Sequence, residues 1–229
     1  MTVAAVHQPQ YLPYLGFFDK VAKADVLVAL DSVQFHRRGL QHRNKIKSSQ
    51  GWQWFTVPVL HETDQLLRDV AINPTEPWQR KHANAVRWNY GKAPYFETYS
   101  DELIRIIERP WEQLVELDMA LTRWVMDCLG ITTPIVHSSE LGVGGSSSEL
   151  LADLCVAVGA DTYLSGPGGR RYMDLQVFED RGVGVLWQEF EHPSYPQLFP
   201  DVGFIPDLSI IDTLLCCGRE TASLLGASA

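Results

Sequence analysis

Residues 2–31 read TVAAVHQPQYLPYLGFFDKVAKADVLVALD and hold three hydrophobic patterns in succession. Residues 2–6 are a short apolar run that stops at His7-Gln8-Pro9, the mark of a buried strand emptying into a loop. From Tyr14 to Ala24, the residues Leu15, Phe17, Phe18, Val21 and Ala22 recur with helical spacing. Asp25 to Asp31 is a continuous apolar run between two aspartates, as expected of a strand covered on both faces. Strand, loop, helix and strand in that order make a βαβ unit, whose crossover is right-handed and whose strands lie parallel.

The alternation returns further along. Pro134–Val136 reads as a strand and Ser148–Val158 as a helix ended by Gly159. Asp161–Leu164 is a strand running into Ser165-Gly166-Pro167-Gly168-Gly169. Gly184–Trp187 is a strand, and Asp207–Cys217 a helix closed by Gly218. Between the two alternating parts, Trp52–Leu60 and Leu67–Ile72 read as strands. Three amphipathic helices follow, with Pro77 at the first position of one and Pro110 dividing the other two. The expectation is an α/β chain with a mainly parallel sheet, three-layer and Rossmann-like, carrying a helical insertion over about residues 77–129 that is placed to cap a site. No repeat, low-complexity tract or linker divides residues 1–229, so one domain is expected.

Composition narrows the class. A chain of 229 residues, 45% hydrophobic and 21% charged, can bury a sizeable core. No apolar run approaches the roughly 18 residues that span a bilayer, and the N-terminal run is too short for a signal peptide. Cys128, Cys155, Cys216 and Cys217 show no CxxC spacing, so a disulfide framework is not expected and a cytoplasmic setting is. A net charge of −9 argues against nucleic acid as the main partner. No His, Cys and Asp group has the spacing of metal ligands, so no metal is expected.

The charge is unevenly placed. Between Asp31 and Glu62 there is no carboxylate, yet Arg37, Arg38, Arg43, Lys45 and Lys47 all fall there. Such a cationic loop suits a phosphate, because an arginine can fork two of its oxygens. Its bland alternative is a solvated surface loop. Gln34, Gln41 and Asn44 add neutral hydrogen-bonding groups within it.

In an open α/β sheet, ligands collect at the carboxyl ends of the strands. Three polar clusters fall at such ends: His7-Gln8 with Tyr11, then Asp31 and Gln34 with the basic loop, then Ser165 through Gly168 to Arg171 and Tyr172. His7, at a strand end, is a candidate general base, although a lone histidine is as often a structural hydrogen-bonder. Pro9 and Pro13 stiffen its loop. The glycine-rich turn at 166–169, with Arg170 and Arg171, can present backbone N–H groups to an anion, but it matches neither the Walker nor the dinucleotide pattern. Gly142–Ser148 reads more simply as a turn in which Ser147 or Ser148 caps the next helix. No Gly-x-Ser-x-Gly nucleophile elbow is present, and the cysteines sit on apolar helix faces where buried, inert thiols are the default.

The stretch HQPQYLPYLGFFDKVAKADVLVALDSVQFHRRGLQHRNKIKSSQGWQWFTVPV resembles the opening of WbqC-like proteins. ADTYLSGPGGRRYMD, FEHPSYPQ and FIPDLSIIDTLL resemble the rest of that family. The motif residues carried over are His7, Gln8, Pro9, Tyr11, Pro13 and Lys20, then Asp31, Gln34, Arg43, Asn44 and Lys45, and finally Ser165, Gly166, Tyr172 and Asp212. Cys216-Cys217 departs from the pattern before Gly218, which argues against a family-wide cysteine nucleophile.

The resemblance implies a place beside genes for O-antigen sugars or specialised metabolites. Through that association it implies an amide-forming acyl or aminoacyltransferase acting on a small amine or amino sugar. On this reading His7, Asn44 and Asp31 carry the chemistry: His7 deprotonates the amine, and Asn44 or a backbone N–H stabilises the oxyanion. Gln8, Tyr11, Gln34, Arg38, Arg43, Lys45, Ser165, Gly168, Arg171 and Tyr172 hold substrate or phosphate. The resemblance implies no tightly bound cofactor and a thioester-activated donor, either phosphopantetheine-linked on an acyl or peptidyl carrier protein or another thioester. Two alternatives stay open. Strand, His/Pro loop, helix and Asp-ended strand resemble the HxGH class of nucleotidyl-transferring and adenylate-forming folds, with Phe17 in place of the second histidine. A non-catalytic module that binds a ligand or carrier is the other.

Overall fold

A computed structural model describes residues 1–226. The opening unit forms as its pattern requires: β1 (Val3–His7), α1 (Leu15–Ala22) and β2 (Val26–Ala29), with β1 and β2 parallel and Ala4 opposite Val26. Later come β7 (Ile135–His137), α5 (Ser147–Ala157), β8 (Thr162–Ser165), α6 (Leu175–Glu179) and β9 (Gly184–Trp187). These strands join one five-stranded parallel sheet in the order β7-β2-β1-β8-β9. The chain steps outward from β1 through β2 to β7, then crosses by α5 to β8 on the opposite side of β1. The direction of winding therefore reverses between β1 and β8.

Period-2 alternation sends each strand's residues to two different layers. Ala4, Val6, Val26 and Val28 pack with Leu150, Leu154 and Phe178 from α5 and α6. Val3, Ala5, Leu27 and Ala29 face α1 and the remaining helices. The sheet thus lies between two helical layers, as the apolar runs imply.

The helices α2 (Trp78–Tyr90), α3 (Phe96–Glu108) and α4 (Leu114–Leu129) join the second layer together with α7 (Ile210–Cys217). Trp78, Tyr90, Leu103, Ile107, Leu121 and Val125 share one core with Leu15, Phe18 and Ile211. They insert in sequence but thicken the core in space, and the expected cap over a site is replaced by a buried layer. Pro77 directly precedes α2 instead of opening it.

The region between β2 and α2 differs most from its sequence reading. Half of the basic loop is a strand: β3 (Arg43–Ser48) pairs antiparallel with β4 (Gly51–Thr56), from Arg43 opposite Thr56 to Ser48 opposite Gly51. Arg, Asn and Lys have little intrinsic strand preference, so pairing decides the conformation. The run 52–60 breaks at Val57-Pro58, and its end is β5 (Val59–Leu60), paired with β6 (Ala71–Ile72). Leu67–Asp69 is a 3₁₀ turn in place of strand. Lys47 is buried, its Nζ donating to Gln197 Oε1 and to the Gly203 carbonyl. Its N–H donates to Tyr90 Oη, and the hydroxyls of Tyr90 and Tyr195 both donate to Asp212. That network binds the hairpin to α2, to α7 and to the segment near residue 197.

Candidate functional site

At the reversal between β1 and β8, the carboxyl edge of the sheet opens into a cavity of about 470 Å³. Open α/β sheets place their ligands at such a switch point. The floor is made by the strand ends, with Val6 and His7 from β1 and Tyr163 and Ser165 from β8. Gln8 and Gln10 line one side, Gly166, Gly168, Gly169 and Tyr172 another, and Ser147 and Leu150 at the start of α5 a third. Lys20 reaches in from α1.

His7 closes β1 with its ring edge-on to Phe17, the centroids 5.0 Å apart. Its Nδ1–H donates to the Gln8 carbonyl at 2.9 Å, which fixes the tautomer and leaves Nε2 as an acceptor. No partner occupies Nε2 among the described residues. Burial, reinforced by the Lys20 charge and only partly offset by the Gln8 bond, pushes the His7 pKa down to about 3. The imidazole is neutral at physiological pH.

Lys20 is 4% exposed and makes one long hydrogen bond, 3.5 Å to the Val6 carbonyl. Burial brings its pKa down to about 7. Among the described residues that line the cavity it is the only lysine, arginine, aspartate or glutamate. The sequence reading carried Lys20 only as a motif residue of the family resemblance and gave it no role at the site. Its signal was a lysine three residues after Phe17, among the apolar residues of the helical stripe Leu15, Phe17, Phe18 and Val21. Gln10 was missed, and its Oε1 is buried without a partner.

The glycine-rich turn is a 3₁₀ segment, Pro167–Arg171, that packs tightly on one side. A Cβ at Gly169 would collide with Ser165 Oγ and with Met173, whereas Gly166 and Gly168 face open space. Ser165 Oγ donates to the Gly166 carbonyl and lies 3.3 Å from Met173 Sδ. The expected serine cap of α5 does not form. Ser146 caps nothing, Ser147 takes a positive φ of 54°, and Ser148 Oγ accepts from the Asp174 N–H instead.

Of the residues expected at the site, His7, Gln8, Ser165, Gly168 and Tyr172 come together here. Others are engaged elsewhere. Tyr11 is fully buried and its hydroxyl donates to His82 Nδ1, since His82 Nε2–H is already donated to the Thr56 carbonyl. Asn44 is 1% exposed: its amide donates to the Leu12 carbonyl at 2.7 Å, and its Oδ1 accepts from the Lys45 N–H. It holds the proline-stiffened loop in place. Asp31 turns toward β7, accepting from Ser138 Oγ, from Ser139 N and Oγ, and from His137 Nδ1. Burial alone would raise its pKa, but the bonds from His137, Ser139 and Ser138 outweigh it and hold the carboxyl at about 2. Gln34 donates to Asp64.

The basic residues decorate the hairpin. The Arg43 guanidinium lies 4.2 Å over the Trp54 ring and donates to the Arg38 carbonyl, and Lys45 Nζ is 5.6 Å from the Trp52 ring. Arg171 is exposed on the 3₁₀ turn and does not line the cavity. The loop that leads into the hairpin nonetheless leans on the pocket wall, because Gln41 Nε2 donates to Gln8 Oε1. The cysteines lie away from the cavity, and burial pushes Cys155 and Cys216 up to about 12. Among the described residues, no three His, Cys, Asp or Glu side chains are grouped as metal ligands, and no helix is long and apolar enough to cross a membrane.

Comparison with known proteins agrees with this architecture in extent. The model of the WbqC-like protein family matches residues 8–224. The uncharacterized protein Rv1507c of Mycobacterium tuberculosis (strain ATCC 25618 / H37Rv) is 34% identical over 229 residues, covering 98% of each chain. No solved structure matches. The chain belongs to the WbqC-like protein family.

Proposed function

We propose that this WbqC-like protein is an amide-forming N-acyl or aminoacyltransferase that joins a thioester-activated acyl or aminoacyl group to a small amine or amino sugar. The supporting observation is a neutral His7 that lines the switch-point cavity, with Nδ1–H fixed on the Gln8 carbonyl and Nε2 without a partner among the described residues. An uncharged imidazole with one free acceptor can take a proton from an attacking amine. The amine nitrogen bonds to the thioester carbon as Nε2 removes its proton, the C–S bond then breaks, and the imidazolium returns the proton to the departing thiolate. With every cysteine buried or remote, direct transfer is favoured over a covalent acyl-enzyme.

The hairpin serves the donor on this reading. Arg37, Arg38, Arg43 and Lys45, with Trp52 and Trp54 exposed beside them, suit the acidic surface of a carrier protein that presents a phosphopantetheine thioester. Asn44 and Asp31 act as positioning residues. A second reading, nucleotidyl transfer, draws on the strand order, because doubly wound sheets of this kind commonly hold nucleotides at the same switch point.

The test is amide formation by the purified chain from a panel of aminoacyl thioesters and amino sugars, read by mass spectrometry and by release of free thiol. His7→Gln should keep the fold and lower turnover by roughly 10²–10⁴, the usual worth of a general base. Release of pyrophosphate from a nucleoside triphosphate, with no amide from any donor, would replace acyl transfer by the second reading.

A further inference from the structure

The cavity beside His7 contains a lysine that no carboxylate among the described residues pairs with. Lys20 is 96% buried by its 4% exposure, forms no salt bridge among the described residues, and has only the 3.5 Å contact to Val6. A buried ammonium with two idle donors is costly unless something pairs with it. Across the cavity, α5 begins. Ser147 and Leu150 of its first turn line the cavity, and among the described residues the amides of Ser147, Ser148 and Glu149 have no hydrogen-bond partner and no side-chain cap. Helix N-termini carry partial positive charge and aim N–H groups outward, so these amides complement an anion. The facing turn leaves room as well, since Gly166 and Gly168 have nothing within 4 Å of a Cβ position.

We propose that Lys20, the first turn of α5 and the turn at Gly168 form a seat for a phosphate group inside the switch-point cavity, distinct from the basic hairpin. Several converging donors suit a phosphate, which offers more acceptor oxygens than a carboxylate. The hairpin is the weaker candidate, because the Arg43 guanidinium is already stacked on Trp54 and bonded to the Arg38 carbonyl. A phosphate beside Lys20 would also offset the lesser of the two causes that depress the His7 imidazole, burial being the larger. The seat stands independently of acyl transfer, since nucleotidyl chemistry would use it equally.

The test is a titration of the ¹⁵N-labelled full chain with inorganic phosphate at constant ionic strength. The Ser147, Ser148 and Gly168 amides should shift and saturate. Lys20→Met should weaken binding by about tenfold or more, as expected for a charge-assisted contact, while Arg43→Ala leaves it unchanged. Shifts confined to residues 36–48, or equal affinity in Lys20→Met, would overturn the seat. Should Lys20→Met fail to fold, the wild-type shift map decides alone. Displacement of phosphate by 4′-phosphopantetheine assigns the seat to a thioester donor, and displacement by UDP assigns it to a sugar nucleotide. Either upholds it.

Discussion

Gln41 Nε2 donates to Gln8 Oε1 across 3.0 Å, and this bond joins the basic hairpin region to the wall of the His7 cavity. The same side chain also accepts from the His36 N–H through Oε1, so Gln41 spans the loop and the pocket. Gln41→Ala should cost about 1–2 kcal/mol in denaturant unfolding, the range for losing neutral hydrogen bonds with a partner left unpaired. Amide exchange of residues 36–42 should quicken while that of β1 stays slow. Unchanged exchange in that loop would mean other contacts hold it.

Acid should destabilise the fold through its histidines. His7 and His82 both have folded pKa values of about 3, below the unfolded value of 6.5. The unfolded chain therefore binds more protons, and stability falls as pH drops from about 6.5 toward 3. His82→Gln can keep the bonds to Tyr11 and Thr56, so its stability should fall less steeply over that window. Denaturant melts at several pH values measure the slope, and parallel curves for both proteins would refute the assignment to His82.

Lys20 should act with the same sign in a higher pH window. Its folded pKa is about 7 against 10.5 unfolded, so the unfolded chain holds the extra proton between those values and stability rises with pH there. Lys20→Met should raise Tm at pH 7 and abolish that rise, at the cost of phosphate binding. A lower Tm in a folded Lys20→Met protein would show that the ammonium is compensated within the chain.

Asp31 and His137 form a measurable pair. His137 is raised above its ordinary value, chiefly by its hydrogen bond to Asp31. Its contribution is present below the unfolded pKa and is lost as pH rises through the folded one. Asp31→Asn should lower the His137 pKa, read by NMR titration. It should also cost about 2–4 kcal/mol, because Ser138 and Ser139 lose a charged acceptor. A His137 titration unmoved by the substitution would place the cause elsewhere.

The sequence by itself determined the βαβ opening, the parallel sheet and the position of His7 and Ser165 at strand ends. Apolar runs of four to seven residues fix a strand's burial on both faces, and the carboxyl end follows from chain direction. It determined little about β3, where pairing with β4 overrides the weak strand preference of Arg43-Asn44-Lys45. Tertiary structure alone decided which polar side chains meet. Periodicity shows the face a residue takes on its own element, but strand order sets the neighbour across from it. That order brought Ser138 and His137 beside Asp31 and placed β8 with Ser165 beside His7. It also turned Lys20, a charged residue on an amphipathic helix in sequence terms, inward to the cavity, where burial rather than local chemistry sets its properties.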